Sequence, residues 1–261
     1  MEVNHLKASE DNLEALLEKA AKEEGYRPLF YKTLMESELY LLVLNDDLPV
    51  GKFTSTNDTS IQVRSISDNR IPAFTSIDRI FDRDVIKDQV QYVAMKAATI
   101  FEMFKDESVI IINPYSEYGK ELLPGEIREL RSGQMFKFPT TNTLKGGSTI
   151  RVGQPANYST EMVVVIKAYC KTRSEIKGAY LAMFHNPSTN EPPHLMLGLD
   201  IERNESEIYG ELAVILKKHI PKDELFDMMN ISGNSKTSLV LKQSEYQVYK
   251  KVPWFKRFTN S

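Results

Sequence analysis

Two runs, Ala179-Tyr-Leu-Ala-Met-Phe-His185 and His194-Leu-Met-Leu-Gly-Leu-Asp-Ile201, decide the fold of the C-terminal half. Each is short and apolar, and a proline-containing loop, Asn186 to Pro193, separates them. That combination reads as two strands joined by a hairpin. With His185 set opposite His194, side-chain alternation assigns two faces. Tyr180, Ala182, Phe184, Leu195, Leu197, Leu199 and Ile201 fall on one, which is expected to lie under helices. Ala179, Leu181, Met183, His185, His194, Met196, Gly198 and Asp200 fall on the other.

The second face is half apolar, and an open sheet would leave it uncovered. Leu181, Met183 and Met196 are therefore expected at an interface. Its occupant would be the chain's own first domain, a second copy, or a different protein. Modules of this topology that bind RNA stack bases on exposed aromatics beside basic residues. The expected open face has no Phe, Tyr, Trp, Lys or Arg, so RNA binding is not expected.

Outward from the hairpin, Thr149–Gly153 reads as a strand. A helix from about Ser159 follows, with Met162, Val165, Ile166, Tyr169 and Cys170 on one face. After the hairpin, Asn204 and Glu207 suggest a capping-box variant opening a helix with Ile208, Leu212, Ile215 and Leu216 buried. Pro221 marks its end, and Leu225–Ile231 reads as a last strand. The order βαββαβ is the ferredoxin-like pattern. A further helix and a tail, Lys242 to Ser261, follow.

Upstream, Phe138–Ser148 is polar, with a proline and a Gly pair, and reads as a linker. The expected domains are 1–140 and 149–261. In the first, Leu13, Leu16, Leu17 and Ala20 make the apolar stripe of a helix starting near Asn12, with Glu14, Glu18, Lys19 and Lys22 read as a solvated face. Strands are expected at Glu38–Leu44, around Ile61 to Ile66, at Ile71–Thr75 and at Ser108–Ile112. Pro72 is expected at a strand start or edge, because it cannot donate to a ladder. Helices are expected over Asp88–Phe104 and Pro124–Arg131, with Gly133 as a stop. The fold class is α+β with two domains, the first a mixed α/β sheet domain.

The 261 residues are 41% hydrophobic, ordinary for globular domains. Lys and Arg total 33 against 36 Asp and Glu, a net charge of −3, which does not advertise a nucleic-acid binder. One cysteine, Cys170, excludes an internal disulfide and fits a reducing cytoplasm. No apolar run is long enough to span a membrane. The N-terminal residues lack a signal-peptide pattern, so secretion is not expected.

Few residues invite chemistry. His185 and His194 would face each other at the loop mouth, but a metal wants further ligands, and Glu191 and Asp200 are only loosely placed. No metal or cofactor is expected. The loop Asn113-Pro-Tyr-Ser-Glu-Tyr-Gly-Lys-Glu121 follows a buried strand, where functional loops are common. Asn113, Tyr118, Lys120 and Glu121 are its candidate binding residues, although a tight structural turn explains it as well. It lacks Walker-loop spacing. No nucleophile–base constellation stands out, so no catalytic residue is assigned. The tail Tyr246 to Phe258 mixes aromatics with Lys and Arg, as a membrane-surface element can. Packing of Trp254 and Phe255 onto the domain is the simpler expectation.

Taken in order, several strings resemble the SseB (enhanced serine sensitivity) family. They are Asn12-Leu-Glu-Ala-Leu-Leu-Glu-Lys-Ala-Ala21, Tyr26-Arg-Pro-Leu-Phe-Tyr31, Pro72-Ala-Phe-Thr-Ser76, Ile112-Asn-Pro114 and Tyr118-Gly-Lys-Glu121 in the first half. Val152-Gly-Gln-Pro155, Ala179-Tyr-Leu-Ala182 and Pro192-Pro-His-Leu195 follow in the second. The resemblance implies a bacterial cytoplasmic protein of two domains, named for a phenotype, with no catalytic residues to carry over.

The expected function is that of a non-catalytic binding or regulatory protein with a protein partner or self-association. An immunity-type or chaperone-like inhibitor of one partner is the first alternative. A small-molecule enzyme using Tyr118, Lys120 and Glu121 with His185 or His194 is the second, and it requires those groups to converge on one pocket.

Overall fold

The computed structural model describes residues 12–44, 51–53, 62–67, 69–104, 107–137, 150–155, 158–188, 191–221 and 224–252. The expected linker lies outside them, as do Trp254 and Phe255 of the tail. The chain is α+β and forms two units. The first comprises Met1–Lys22 and Leu29–Met135, and the second comprises Glu23–Pro28 and Phe136–Ser261.

In the first unit, helix α1 (Leu13–Lys22) buries Leu13, Leu16, Leu17 and Ala20, the stripe read from sequence. The Asn12 side chain accepts from Ala15 N–H at 2.8 Å, satisfying a donor the helix leaves open. Helix α2 (Arg27–Glu36) follows, and sequence periodicity does not announce it. Strands β1 (Glu38–Leu42), β2 (Gly51–Phe53) and β3 (Arg70–Phe74) precede β4 (Gln91–Lys96), helix α3 (Ala97–Met103), β5 (Val109–Ile112), β6 (Lys120–Leu122) and helix α4 (Pro124–Arg131). The sheet order is β2-β4-β1-β3-β5-β6.

Three expectations change here. The helix expected over Asp88–Phe104 is half strand. β4 pairs along all of β1, Glu38 opposite Lys96 to Leu42 opposite Tyr92, and only the part from Ala97 is helical. Tertiary pairing has overridden local periodicity. Pro72 sits in an interior strand, not at an edge. The ladder to β1 engages only Ala73 and Phe74, so the missing N–H falls beyond it. Of the segment around Ile61 to Ile66, Val63 makes only an isolated bridge to Val43, and Ile61 is outside the described residues.

In the second unit, β7 (Arg151–Gly153), helix α5 (Thr160–Thr172), β8 (Ile176–His185), β9 (His194–Ile201), helix α6 (Glu205–Leu216) and β10 (Phe226–Asn230) follow the expected order. Helix α7 (Lys236–Leu241) and β11 (Gln247–Lys250) complete it. The pairing is not ferredoxin-like. Strands run β10-β9-β8-β11, with β7 also on β8. Short β7 pairs antiparallel with the end of β8, and β10 lies parallel beside β9 after the α6 crossover, so the two βαβ halves do not interleave. Asn204 is no side-chain cap: it is left-handed at φ 61° and its amide donates to Glu175 at 3.2 Å.

The hairpin register is one residue from that expected. His194 faces Phe184, Met196 faces Ala182, and Leu195 faces Met183. A one-residue slip moves one whole strand to the other face. Ala179, Leu181, Leu195, Leu197, Leu199 and Ile201 therefore share the core with α5 and α6. Tyr180, Ala182, Phe184 and Met196 form the opposite face, covered by Ile231, Leu241 and Tyr246. No bare apolar sheet face remains at these positions.

Buried Glu211 on α6 accepts from the Tyr169 hydroxyl and from Arg173 Nη1 at 3.1 Å, tying α5 to α6. Glu23–Pro28 packs on α5. A Cβ on Gly25 would stand 3.0 Å from Tyr169 N, so a larger residue would press the α5 backbone away by a few tenths of an ångström.

Candidate functional site

β3 and β5 are parallel neighbours, Ala73 opposite Ile112, so their carboxyl ends open side by side. Crevices outside such strand ends are common binding places in α/β sheets. Thr75 and Ser76 leave β3 there, and Asn113 leaves β5. Asn113 is only 2% exposed and sits at φ 48°, a conformation asparagine tolerates better than most residues. Its Oδ1 accepts from Thr75 N–H at 2.9 Å and its Nδ2 donates to Thr75 Oγ1 at 2.8 Å. The two strand exits are thereby stitched together. Gly119 completes the loop: a Cβ there would be 2.9 Å from the carbonyl oxygens of Ile112 and Asn113.

Against these exits lies the N-terminal part of α1. Glu14 Oε1 accepts from Thr75 Oγ1 at 2.9 Å and Ser76 Oγ at 2.7 Å. Its Oε2 accepts from Arg79 Nε at 3.0 Å and Nη2 at 2.8 Å. Arg79 Nη1 donates to Asp82 Oδ2 at 3.1 Å, and the Ser116 hydroxyl donates to the same oxygen. Between α1 and the loop is a cleft of about 370 Å³ with Glu14, Arg79, Asn113 and Ser116 in its wall and Glu18 and Tyr118 at its side.

The charges are held fast. Burial raises the Glu14 carboxyl, but hydrogen bonds from Arg79, Ser76 and Thr75 outweigh it and hold the group below its usual range. Asp82 behaves alike, burial opposing Ser116 and Arg79, with a net fall. Bonds to Glu14 and then Asp82 push Arg79 up. All three stay ionised around neutrality.

The candidate residues from sequence divide as follows. Asn113 and Tyr118 line the cleft. Lys120 Nζ is spent on Glu126, 2.8 and 2.9 Å from its two oxygens, and on the Glu121 carbonyl at 2.7 Å. Glu121 pairs with Arg70 at 2.9 Å. Tyr118, Lys120 and Glu121 therefore do not converge. His194, buried, sits between the Pro192 carbonyl and Asp227 Oδ2, each 2.9 Å from a ring nitrogen. His185 neighbours Phe184, so alternation sends it to the face opposite His194, and the two imidazoles do not face each other. Asp200 pairs with Lys242 at 3.3 Å. Among the described residues no group of three or more His, Cys, Asp or Glu is placed to hold a metal. Leu181 and Met196 are each 3% exposed and Met183 packs against the α5–α6 core, so the expected interface is interior.

Sequence reasoning missed Glu14, Arg79 and Asp82. The sequence pattern puts Glu14 on a solvated face, whereas the structure turns it toward Thr75, Ser76 and Arg79. Its place one residue after apolar Leu13, at the edge of the stripe, was the available signal.

Both halves match family models: the SseB protein N-terminal domain over residues 13–129, and the SseB protein C-terminal domain over residues 144–251. The chain belongs to the SseB family. Protein SseB of Escherichia coli (strain K12) is 25% identical over 237 residues, covering 87% of each chain, and Protein SseB of Shigella flexneri matches equally. No solved structure matches. The SseB N-terminal match contains Glu14, Arg79, Asn113 and Tyr118 of the cleft, and the SseB C-terminal match contains both hairpin histidines. Among the described residues no helix is long and apolar enough to cross a membrane.

Proposed function

We propose that this SseB-family chain is a non-catalytic binding or regulatory protein of the cytoplasm that engages its partner through the cleft of the first unit. The observation that carries this reading is the commitment of the wall's charged groups. Glu14 accepts four hydrogen bonds, and Arg79 is divided between Glu14 and Asp82. General acid–base work at neutral pH needs a group that titrates near that pH, whereas these groups are shifted away from it. A wall held this firmly suits recognition, because little ordering is left to be done when a partner arrives. The separation of Tyr118 from Lys120 and Glu121 speaks against an enzyme built on those three.

The test is quantitative capture with the tagged full chain, reading co-eluting proteins and metabolites by mass spectrometry. Tyr118→Ala combined with Glu117→Lys should remove a stoichiometric partner. Val164→Asp, on an exposed position of α5, should leave it. A partner equally retained by both variants would overturn the assignment to this cleft. Turnover of a metabolite retained by the wild type would overturn the non-catalytic reading.

A further inference from the structure

At the side of the cleft an ammonium group of the chain itself sits between a carboxylate and an aromatic ring. Lys22, in the last turn of α1, places Nζ 2.5 Å from Glu18 Oε1 and 5.1 Å from the centre of the Tyr118 ring. A carboxylate on one side and an aromatic face on the other is the standard surrounding of a bound ammonium. Glu18 and Tyr118 both line the cleft, and Lys22 does not. The surroundings are acidic. Glu14, Glu18 and Glu117 line the space against a single cation, Arg79, which already serves Glu14 and Asp82. Glu117 has no ion pair among the described residues.

The Lys22–Glu18 pair is open to solvent. The Lys22 side chain is 55% exposed and that of Glu18 48%. An exposed i,i+4 pair of this kind is weak and screened by salt. A cation arriving from the cleft would meet the same carboxylate and ring, with Glu117 beside them, and would release a side chain with many alternative rotamers.

We infer that the cleft is a receptor for an alkylammonium group, in which Glu18 and Tyr118 bind the incoming cation and Lys22 is a placeholder that it displaces. The inference deepens the binding reading above and rests on it. The ammonium can come from a lysine of a partner protein or from a free amine. Arg79 contributes a wall and not a carboxylate receptor, since two acidic side chains already hold it.

The test is an NMR titration of the full chain at low salt, about 20 mM, where surface charge is least screened. The probes are Nα-acetyl-lysine methylamide, cadaverine and, as the uncharged control, Nα-acetyl-norleucine methylamide. Saturable shifts of the Ala15, Glu117 and Gly119 amides are expected with both amines, at a Kd on the order of 1–10 mM, and not with the control. Glu18→Gln should weaken binding about fivefold and Tyr118→Leu about threefold. Lys22→Ala should tighten it about threefold, because the internal competitor is gone. That sign separates a placeholder from a structural ion pair. Capped lysine binding as well as cadaverine points to a protein source, and cadaverine binding at least tenfold tighter points to a free amine. Absence of saturable shifts in both wild type and Lys22→Ala overturns the inference, as does weaker binding by Lys22→Ala. If the captured partner is lost on Tyr118→Leu although no amine binds, the alkylammonium inference fails while the binding reading stands. If amines bind as expected but capture is indifferent to Tyr118→Leu, the binding reading fails instead.

Discussion

Arg79 holds one oxygen of Glu14 through two N–H groups, at 3.0 and 2.8 Å, although 65 positions separate the residues. The contact pins α1 to the segment leaving β3. Removing the carboxylate leaves a guanidinium and two hydroxyls short of an acceptor. Glu14→Ala is expected to cost about 1–3 kcal/mol of unfolding free energy, measured by urea titration. An effect below about 0.5 kcal/mol would show that water replaces the carboxylate without loss.

Stability should also depend on acid. The carboxyls of Glu14, Asp82 and Glu126 are all held below their usual range: burial raises each, and hydrogen bonds together with Arg79 or Lys120 prevail. A lowered folded-state value means that the contribution is complete above the unfolded-state value and is lost as pH falls through the folded one. Urea midpoints should therefore be level from about pH 7 down to pH 5 and drop below about pH 4. Glu14→Gln should make that drop shallower. A midpoint that rises on acidification contradicts the assignment.

The Asn113 turn gives a sharper contrast between two glycines. Gly119→Ala would drive a Cβ to 2.9 Å from two backbone carbonyl oxygens, which cannot move without loosening β5. Gly125, in the first turn of α4, has nothing within 4 Å of the same added atom. The expected outcomes are a loss of about 1–3 kcal/mol for the first and neutrality or a gain of up to about 1 kcal/mol for the second. Thermal denaturation of the two variants side by side decides it.

Burial pushes the Cys170 thiol up to about 12. The thiolate is the reactive form. Native protein at pH 8 should resist a thiol reagent that labels the urea-unfolded chain at once. Rapid native labelling would mean that α5 opens readily.

What could be read from the sequence depended on whether local pattern and tertiary demand agreed. α1, α4, α5, β8 and β9 have clear periodicity and clear ends, and each formed where expected. β4 did not: Val93, Ala97, Ile100 and Phe101 satisfy a helical spacing, yet the first of them belongs to a strand paired with β1. The hairpin strands were legible but their register was not, because both faces carry enough apolar residues to be buried. Leu181 and Tyr180 both look interior, and both are. The loop after β5 could be singled out from its position. Its partners could not, because Glu14 and Arg79 lie 65 positions apart and only tertiary packing brings them together.

The six residues Glu23–Pro28 sit early in the chain and belong to the second unit. On a ribosome they emerge long before α5, the helix whose backbone Gly25 approaches. They must wait for a surface that has not yet been synthesised, so this part of the second unit can form only after α5 has been made. Cutting the gene between residues 135 and 136 would strand this piece on the wrong fragment. A C-terminal fragment made that way would lack a strip of its own interior covering, however sound its sheet.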